Sequence, residues 1–283
     1  MEKAAHLIGF LVPDLVDSHF AEAARGAARI LRAGGYLMLI SNSESDPAAE
    51  TEALDLLLAC RQAEGLIIAS CRPPDDIEIL TRLEEHRLPY VLIDRSFPGL
   101  EANFVGWDEE ALGAAATEHL IARGCRHIAH IRGPENSSGL GRFQGYAAAL
   151  GRFNLKVCPG YVAAGGTSAA SGYQAMRKLL AVNPRLDGVV CYNDAVAVGA
   201  IKAILEAGLE VPYDLEVIGA GNLHYSELLR VPLSTVDLRA GWMGEQAAEL
   251  LIELLRGRPL RPAQKILIPF ELIPRESSRA ISV

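Results

Sequence analysis

Aspartate, arginine, asparagine and histidine recur at one kind of place in this sequence, directly after short apolar runs. Asp94-Arg95 follows Tyr90–Ile93, Arg142 closes the stretch Gly133–Arg142 after Ile128–Ile131, and Asn193-Asp194 follows Val189–Tyr192. Pro13–Phe20, Ser70-Cys71, Gly165–Ser168 and Gly219–Asn222 stand in equivalent positions. Carboxylates accept hydrogen bonds from hydroxyls, guanidinium groups donate to ring and hydroxyl oxygens, and an aromatic pair such as His19-Phe20 can cover a C–H face. The mixture suits a polyol. Each member also has an ordinary structural use. Asp94-Arg95 could be an ion pair or turn, Arg142 a solvated helix residue, and Asn193 a helix N-cap. Phe20 sits at helical spacing from Ala23, Ala24 and Ala27, as a core residue would. The shared position after strands is what favours the binding reading.

Patterns for catalysis and metals are missing. There is no P-loop and no G-x-S-x-G elbow. Gly219-Ala220-Gly221 resembles the opening of a dinucleotide fingerprint, but His224 stands at the third glycine position. The seven histidines show no metal spacing, and His127 and His130 should point to opposite faces of one strand because their separation is odd. Glu84-Glu85 and Glu109-Glu110 fall on helices and read as solvated faces. No enzyme, metal or cofactor is expected.

The elements that would position these residues alternate. Leu7–Val12, Tyr36–Ile40, Leu66–Ala69 and Tyr90–Ile93 are apolar on both faces, as strands covered by helices on either side would be. Between them lie helical stretches Ser18–Ala33, stopped by Gly34-Gly35, then Pro47–Arg61 and Asp75–His86. After Val105 the same grammar restarts. Helix Asp108–Arg123 leads to strand Ile128–Ile131, helices Ser138–Arg152 and Ser168–Leu180, strand Val189–Tyr192, helix Asp194–Ala207 and strand Leu215–Ile218. A last helix, Gly241–Leu255, precedes an extended tail, Lys265–Ile273, broken by Pro269 and Pro274. The pattern predicts an α/β fold of two similar doubly wound parallel-sheet lobes. With no linker between them, the chain crosses near Phe104–Trp107 and again near Ser234–Arg239. The expected division is residues 5–105 plus 239–266 and residues 106–238 plus 267–283. Ligands of such sheets sit beyond the carboxyl ends of the strands.

With 283 residues, half of them apolar, the chain can bury a large core. A net charge of −8 gives no electrostatic footprint for nucleic acid. The five cysteines, Cys60, Cys71, Cys125, Cys158 and Cys191, are dispersed among apolar or small residues and read as buried free thiols in a reducing cytoplasm. No secretory signal opens the sequence, and no apolar run is long enough to cross a bilayer.

Longer stretches carry a resemblance. IGFLVPDLVDSHFAEAARGAARILRAGGYLMLISNSESDPAAE and its continuation to Ala69 resemble the opening of the effector domain in the LacI/GalR family of regulators. LPYVLIDRSFPG, ATEHLIARGCRHIAHIRGPENSSGLGRFQGYAAAL, CYNDAVAVGAIKAILEAGLEVPYDLEVIGAGN, PLSTVDL and PFELIPRESS extend the likeness over essentially the whole chain. The resemblance implies a periplasmic-binding-protein-like fold, a homodimer, and DNA affinity set by a small effector, here a sugar or sugar derivative, bound between the lobes. Operator DNA would be contacted through an N-terminal helix-turn-helix head, which this sequence lacks, either by truncation or as a natural headless homologue. A periplasmic-type sugar-binding transport receptor shares the fold, but GCRHIAHI together with PRESS looks like the repressors.

Carried over by motif, the pocket falls on Asp17, His19 and Phe20 after the first strand, and on Ser70 after the third. It continues with Asp94 and Arg95 of the D-R pair, Arg142 before Gln144-Gly145-Tyr146, Thr167, Asn193 of the N-D pair, Gly221 and Asn222. Three positions depart from the family. Gly221 replaces a common hydroxyl-binding aspartate, Thr167 stands where many relatives carry a stacking aromatic, and Leu238 stands where a glutamine is frequent. Polar and stacking groups are thereby removed from the second lobe's share of the pocket.

Overall fold

In the segment HLIGFLV every residue from Ile8 to Val12 is buried, as a strand covered on both faces requires. The computed structural model describes residues 6–60, 63–183, 185–257 and 262–278. They fall into two compact units, one running to Trp107 and taking in Arg239–Ile268, the other made of Asp108–Leu238 and the segment from Pro269.

The first unit is built on β1 (His6–Val12), β2 (Tyr36–Asn42), β3 (Ala63–Ile68), β4 (Tyr90–Ile93), β5 (Phe104–Gly106) and β11 (Lys265–Leu267). They lie in the order β11-β5-β4-β3-β1-β2, and every neighbouring pair is parallel. The second unit holds β6 (Ile128–Arg132), β7 (Val162–Ala164), β8 (Gly188–Cys191), β9 (Glu216–Gly221), β10 (Ser234–Asp237) and β12 (Glu271–Ile273). Their order, β12-β10-β9-β8-β6-β7, repeats that of the first unit strand for strand; only β12 runs antiparallel to its neighbour. In both sheets the order reverses beside the first strand of the unit, where an open α/β sheet leaves a crevice for ligand.

Helix boundaries follow local chemistry. Asp17, in an extended conformation, accepts from the His19 amide and starts α1 (Ser18–Ala33). Asp108 likewise starts α4 (Glu109–Arg123), which ends at Gly124 in the left-handed region, φ 106°. Asn136 caps α5 (Ser137–Arg152) and Asn193 caps α7 (Asp194–Glu206). Ser168 and Ser171 form a reciprocal capping box at the start of α6 (Ala169–Val182). The remaining helices are α2 (Pro47–Cys60), α3 (Glu78–Glu85) and α8 (Ala240–Leu255).

Several expectations need correction. The helix expected over Asp75–His86 begins only at Glu78, because Arg72 binds Asp76 and Asp76 accepts from the Glu78 amide, holding the preceding residues in a turn. The crossings are not among them: the chain changes unit at Trp107–Asp108 and Leu238–Arg239, with β5 and β10 paired into their sheets just before. The extended tail divides as well, β11 joining the first sheet and β12 the second. Cys125 and Cys191 are buried thiols, but Cys71 is half-buried and Cys158 exposed. The side chain of Cys60, the expected helix end at Arg61, and the outer lobe limits at 5 and 279–283 lie outside the described residues.

Candidate functional site

In the first unit the carboxyl ends of β1, β3 and β4 gather one continuous polar chain. Glu50 of α2 is fully buried; it accepts from Ser70 Oγ at 2.7 Å and from the Cys71 amide at 2.6 Å. The Ser70 carbonyl accepts from Arg95 Nη1 at 3.0 Å. Arg95 Nε lies 3.3 Å from Asp94 Oδ2, and Asp94 Oδ1 lies 3.3 Å from His19 Nε2. Asp94 adopts the left-handed region, φ 63°, a conformation that costs a non-glycine residue on the order of 1 kcal/mol. Phe20 packs under this chain, with the Arg95 guanidinium 5.6 Å from its ring centroid. The His19 ring meets Phe20 edge-on at 5.0 Å and Trp107 at 5.4 Å. Asp94 and Arg95 are only 4% and 5% exposed, so both charges of the pair are held away from water.

The second unit has its own cluster. Arg142, 4% exposed, donates from Nε to Glu109 at 2.7 Å and from Nη1 to the Tyr192 carbonyl at 2.7 Å. Its guanidinium lies over the Tyr192 ring, 4.6 Å from the centroid. Helix packing makes this pair possible. A Cβ on Gly113 would stand 2.1 Å from the Arg142 carbonyl oxygen, and one on Gly145 would stand 2.0 Å from that of Glu110. Glycine at both places lets α4 and α5 touch backbone to backbone, bringing Glu109 to Arg142. Asn193 accepts from the Val196 amide and donates from Nδ2 to the Thr167 carbonyl at 3.0 Å.

Behind Asn193, Asp194 is wholly buried. It accepts from Ser226 Oγ and Thr235 Oγ1, each at 2.6 Å, and from the Leu223 amide at 3.0 Å. Burial pushes its carboxyl above the usual range, while those bonds and the Arg275 charge pull it back. Asn222 hangs on this network: its amide donates to Thr235 Oγ1, and its Oδ1 accepts from Arg275 Nη2 at 2.7 Å.

The structure therefore brings His19, Phe20, Ser70, Asp94 and Arg95 together in the first unit, and Arg142, Thr167 and Asn193 together in the second. Asp17 acts as the cap of α1. Gly221 and Asn222 belong to the Asp194 network. Their ordinary uses are real too: Asn193 is an N-cap, Phe20 is core, and the Ser70 hydroxyl is occupied by Glu50. Arg142, however, is not a solvated face residue. Nor is Glu109, whose side chain is 10% exposed; its neighbour Glu110 is exposed, as expected.

Sequence reading missed Glu50, Trp107, Glu109 and Tyr192. Tyr192 closes an apolar run beside Asn193, and Trp107 follows β5 directly, so position after a strand could have found both. Glu50 and Glu109 reach their partners across 20 and 33 residues and carry no local signal. Cys71 offers no nucleophile: burial and the Glu50 charge push its thiol up to about 12. Among the described residues no group of three or more His, Cys, Asp or Glu side chains could hold a metal ion.

Residues 117–278 match the periplasmic binding protein-like domain family. The HTH-type transcriptional repressor CytR of Escherichia coli (strain K12) is 31% identical over 302 residues, which span 99% of this chain and 87% of CytR. The transcriptional regulator CelR in complex with cellobiose superposes with a TM-score of 0.89 at 27% identity, covering 97% of this chain and 85% of its own. The lac repressor dimer bound to operator and the anti-inducer ONPF gives 0.87 at 26% identity, covering 99% and 96%.

Proposed function

The chain belongs to the LacI family of transcriptional regulators, as an effector-binding domain, and from that premise we propose that its strand-end residues take up a small polar effector of the sugar type. The observation that carries this reading is the pair of buried charge clusters, Asp94 with Arg95 and Arg142 with Glu109. Each lies beyond the carboxyl ends of its own parallel sheet, beside the reversal of strand order. Buried ion pairs are costly to maintain and seldom stabilise a fold on their own account. Such a pair beyond the strand ends of each unit is better explained by contact with a polar ligand than by fold stability.

In the first unit Arg95 would donate to effector oxygens beside the Phe20 and His19 rings; in the second, Arg142 offers the same chemistry beside Tyr192. The similar regulator CelR forms a complex with cellobiose, which agrees with a saccharide-like ligand here. A homodimer is the working form. Operator DNA is then a partner of a helix-turn-helix head rather than of this acidic domain, whose net charge is −8. The relatives are repressors, so neither a transport receptor nor an enzyme is favoured. Calorimetric titration with a panel of mono- and disaccharides tests the reading: one saturable site per chain is expected, and no binding by any member would refute it.

A further inference from the structure

We infer that the groove between α1 and α8 of the first unit docks an acidic helical segment of a partner protein. This goes beyond the effector reading and does not depend on it.

Glycine builds the groove. A Cβ on Gly26 would stand 2.0 Å from the Gly241 carbonyl oxygen, and one on Gly244 would stand 1.9 Å from that of Ala23. The two helices therefore touch backbone to backbone, and Gly26, Ala28 and Gly241 floor a depression of about 580 Å³. Arg25, Arg29 and Arg32 line it, and each is exposed. Their spacing of four and three residues puts all three on one face of α1, over a rise of about 10 Å.

The charges do not cancel. Among the described residues that line the groove, Glu245 is the only acid, and it lies 2.5 Å from Arg29. The Arg25 and Arg32 charges are left to solvent. α8 also opens without a side-chain cap, at Arg239, so its first turn adds partial positive charge beside Gly241. This local excess sits on a chain of net charge −8. Like charges four residues apart weaken a helix, so the fold gains nothing from setting Arg25 beside Arg29.

The layout selects the occupant. Three guanidinium groups are strung along two turns of helix, where a single phosphate would call for groups converging on one point. A helix with glutamates four and three residues apart repeats the same rise, and the small floor residues let it come close. A DNA duplex fits poorly. It carries a charge every ~1.7 Å of its axis and would extend from the groove over the acidic remainder of the domain.

The probe is a fluorescein-labelled, alanine-based helical peptide with glutamate at positions i, i+4 and i+7, compared by anisotropy at low salt with its glutamine counterpart. The glutamate peptide is expected to bind saturably, at least tenfold tighter than the glutamine peptide, and more weakly as salt is raised. The double variant Arg25→Gln, Arg32→Gln should bind it at least tenfold more weakly at an unchanged melting temperature. Arg177→Gln, which removes an exposed arginine of α6 in the second unit, should bind it as wild type does. Should the double variant fold poorly, the two single variants carry the test, each weakening binding at least threefold. No binding of the glutamate peptide by wild type, equal binding by the folded groove variants, or an equal loss in Arg177→Gln overturns the inference. Duplex DNA that displaces the peptide, or a double variant that sediments as a smaller species than wild type, overturns it too, assigning the groove to nucleic acid or to a second copy.

Discussion

A Cβ placed on Gly219 would stand 2.4 Å from the Oδ1 atom of Asp194. The glycine of β9 thus makes room for the carboxylate that organises the loop after it. Asp194 cannot step aside, because Ser226, Thr235 and the Leu223 amide hold it from three directions. Gly219→Ala is therefore expected to lower stability by about 1–3 kcal/mol, the usual range for overpacking. Chemical denaturation would measure it, and a midpoint equal to wild type would refute the close packing.

The resemblance sets Gly221 where an aspartate is expected, and the backbone there favours glycine. Its φ is 139°, a conformation that side-chain-bearing residues rarely adopt. Gly221→Asp should consequently cost on the order of 1–3 kcal/mol before any change of effector preference is seen. An unchanged melting temperature would show that the loop relaxes freely.

His130 should make the protein sensitive to acid. Its ring is 1% exposed and stacks on Tyr146 at 4.9 Å. Burial first, then the Arg132 and Arg142 charges, lowers its pKa to about 3. An unfolded histidine titrates near ~6.5, so between those values the unfolded chain holds more protons. Stability is therefore fully present above the unfolded value and is lost progressively as pH falls across that window toward the folded value. His130→Phe keeps an aromatic stack and is expected to flatten this acid limb by a few kcal/mol. Urea midpoints for both proteins at several pH values between the two limits would decide it; an identical decline in the variant would contradict the assignment.

Much of the architecture was readable because strands such as Ile8–Val12 are buried on both faces, and continuous apolar runs bounded by caps and glycines are local signals. Asp17, Gly34 and Gly124 mark helix ends in this way. β5, β7 and β10 were not readable as strands. Three or four residues hold no periodicity, and Phe104–Gly106 becomes a strand only through pairing with β4 and β11. The site divides likewise. Asp94, Arg95, Arg142 and Asn193 were candidates by position after strands, whereas Glu50 and Glu109 depend on helix contacts that tertiary packing alone creates. Glu109 beside Glu110 looks like solvent-facing charge until α5 brings Arg142 against it.

The acidic domain should assemble without gripping DNA. Sedimentation is expected to give a species of about twice the 30.4 kDa chain mass, and gel shifts with duplex DNA should show no sequence-specific band. A monomer at micromolar concentration, or a tight specific complex, would contradict this account of its partners.

The central claim, that the arginines beyond the strand ends take up the effector, is tested most directly by titrating a bound saccharide into wild type, Arg95→Lys and Arg142→Lys. Lysine keeps a positive charge beside Asp94 or Glu109 but loses the planar fork. It therefore avoids stranding a buried carboxylate, as alanine would at either site. Hydrogen bonds involving charged groups contribute roughly 1.5–3 kcal/mol each, so each variant should bind about ten- to a hundredfold more weakly with its melting temperature near that of wild type. Affinity unchanged in both folded variants would place the effector elsewhere and contradict the account.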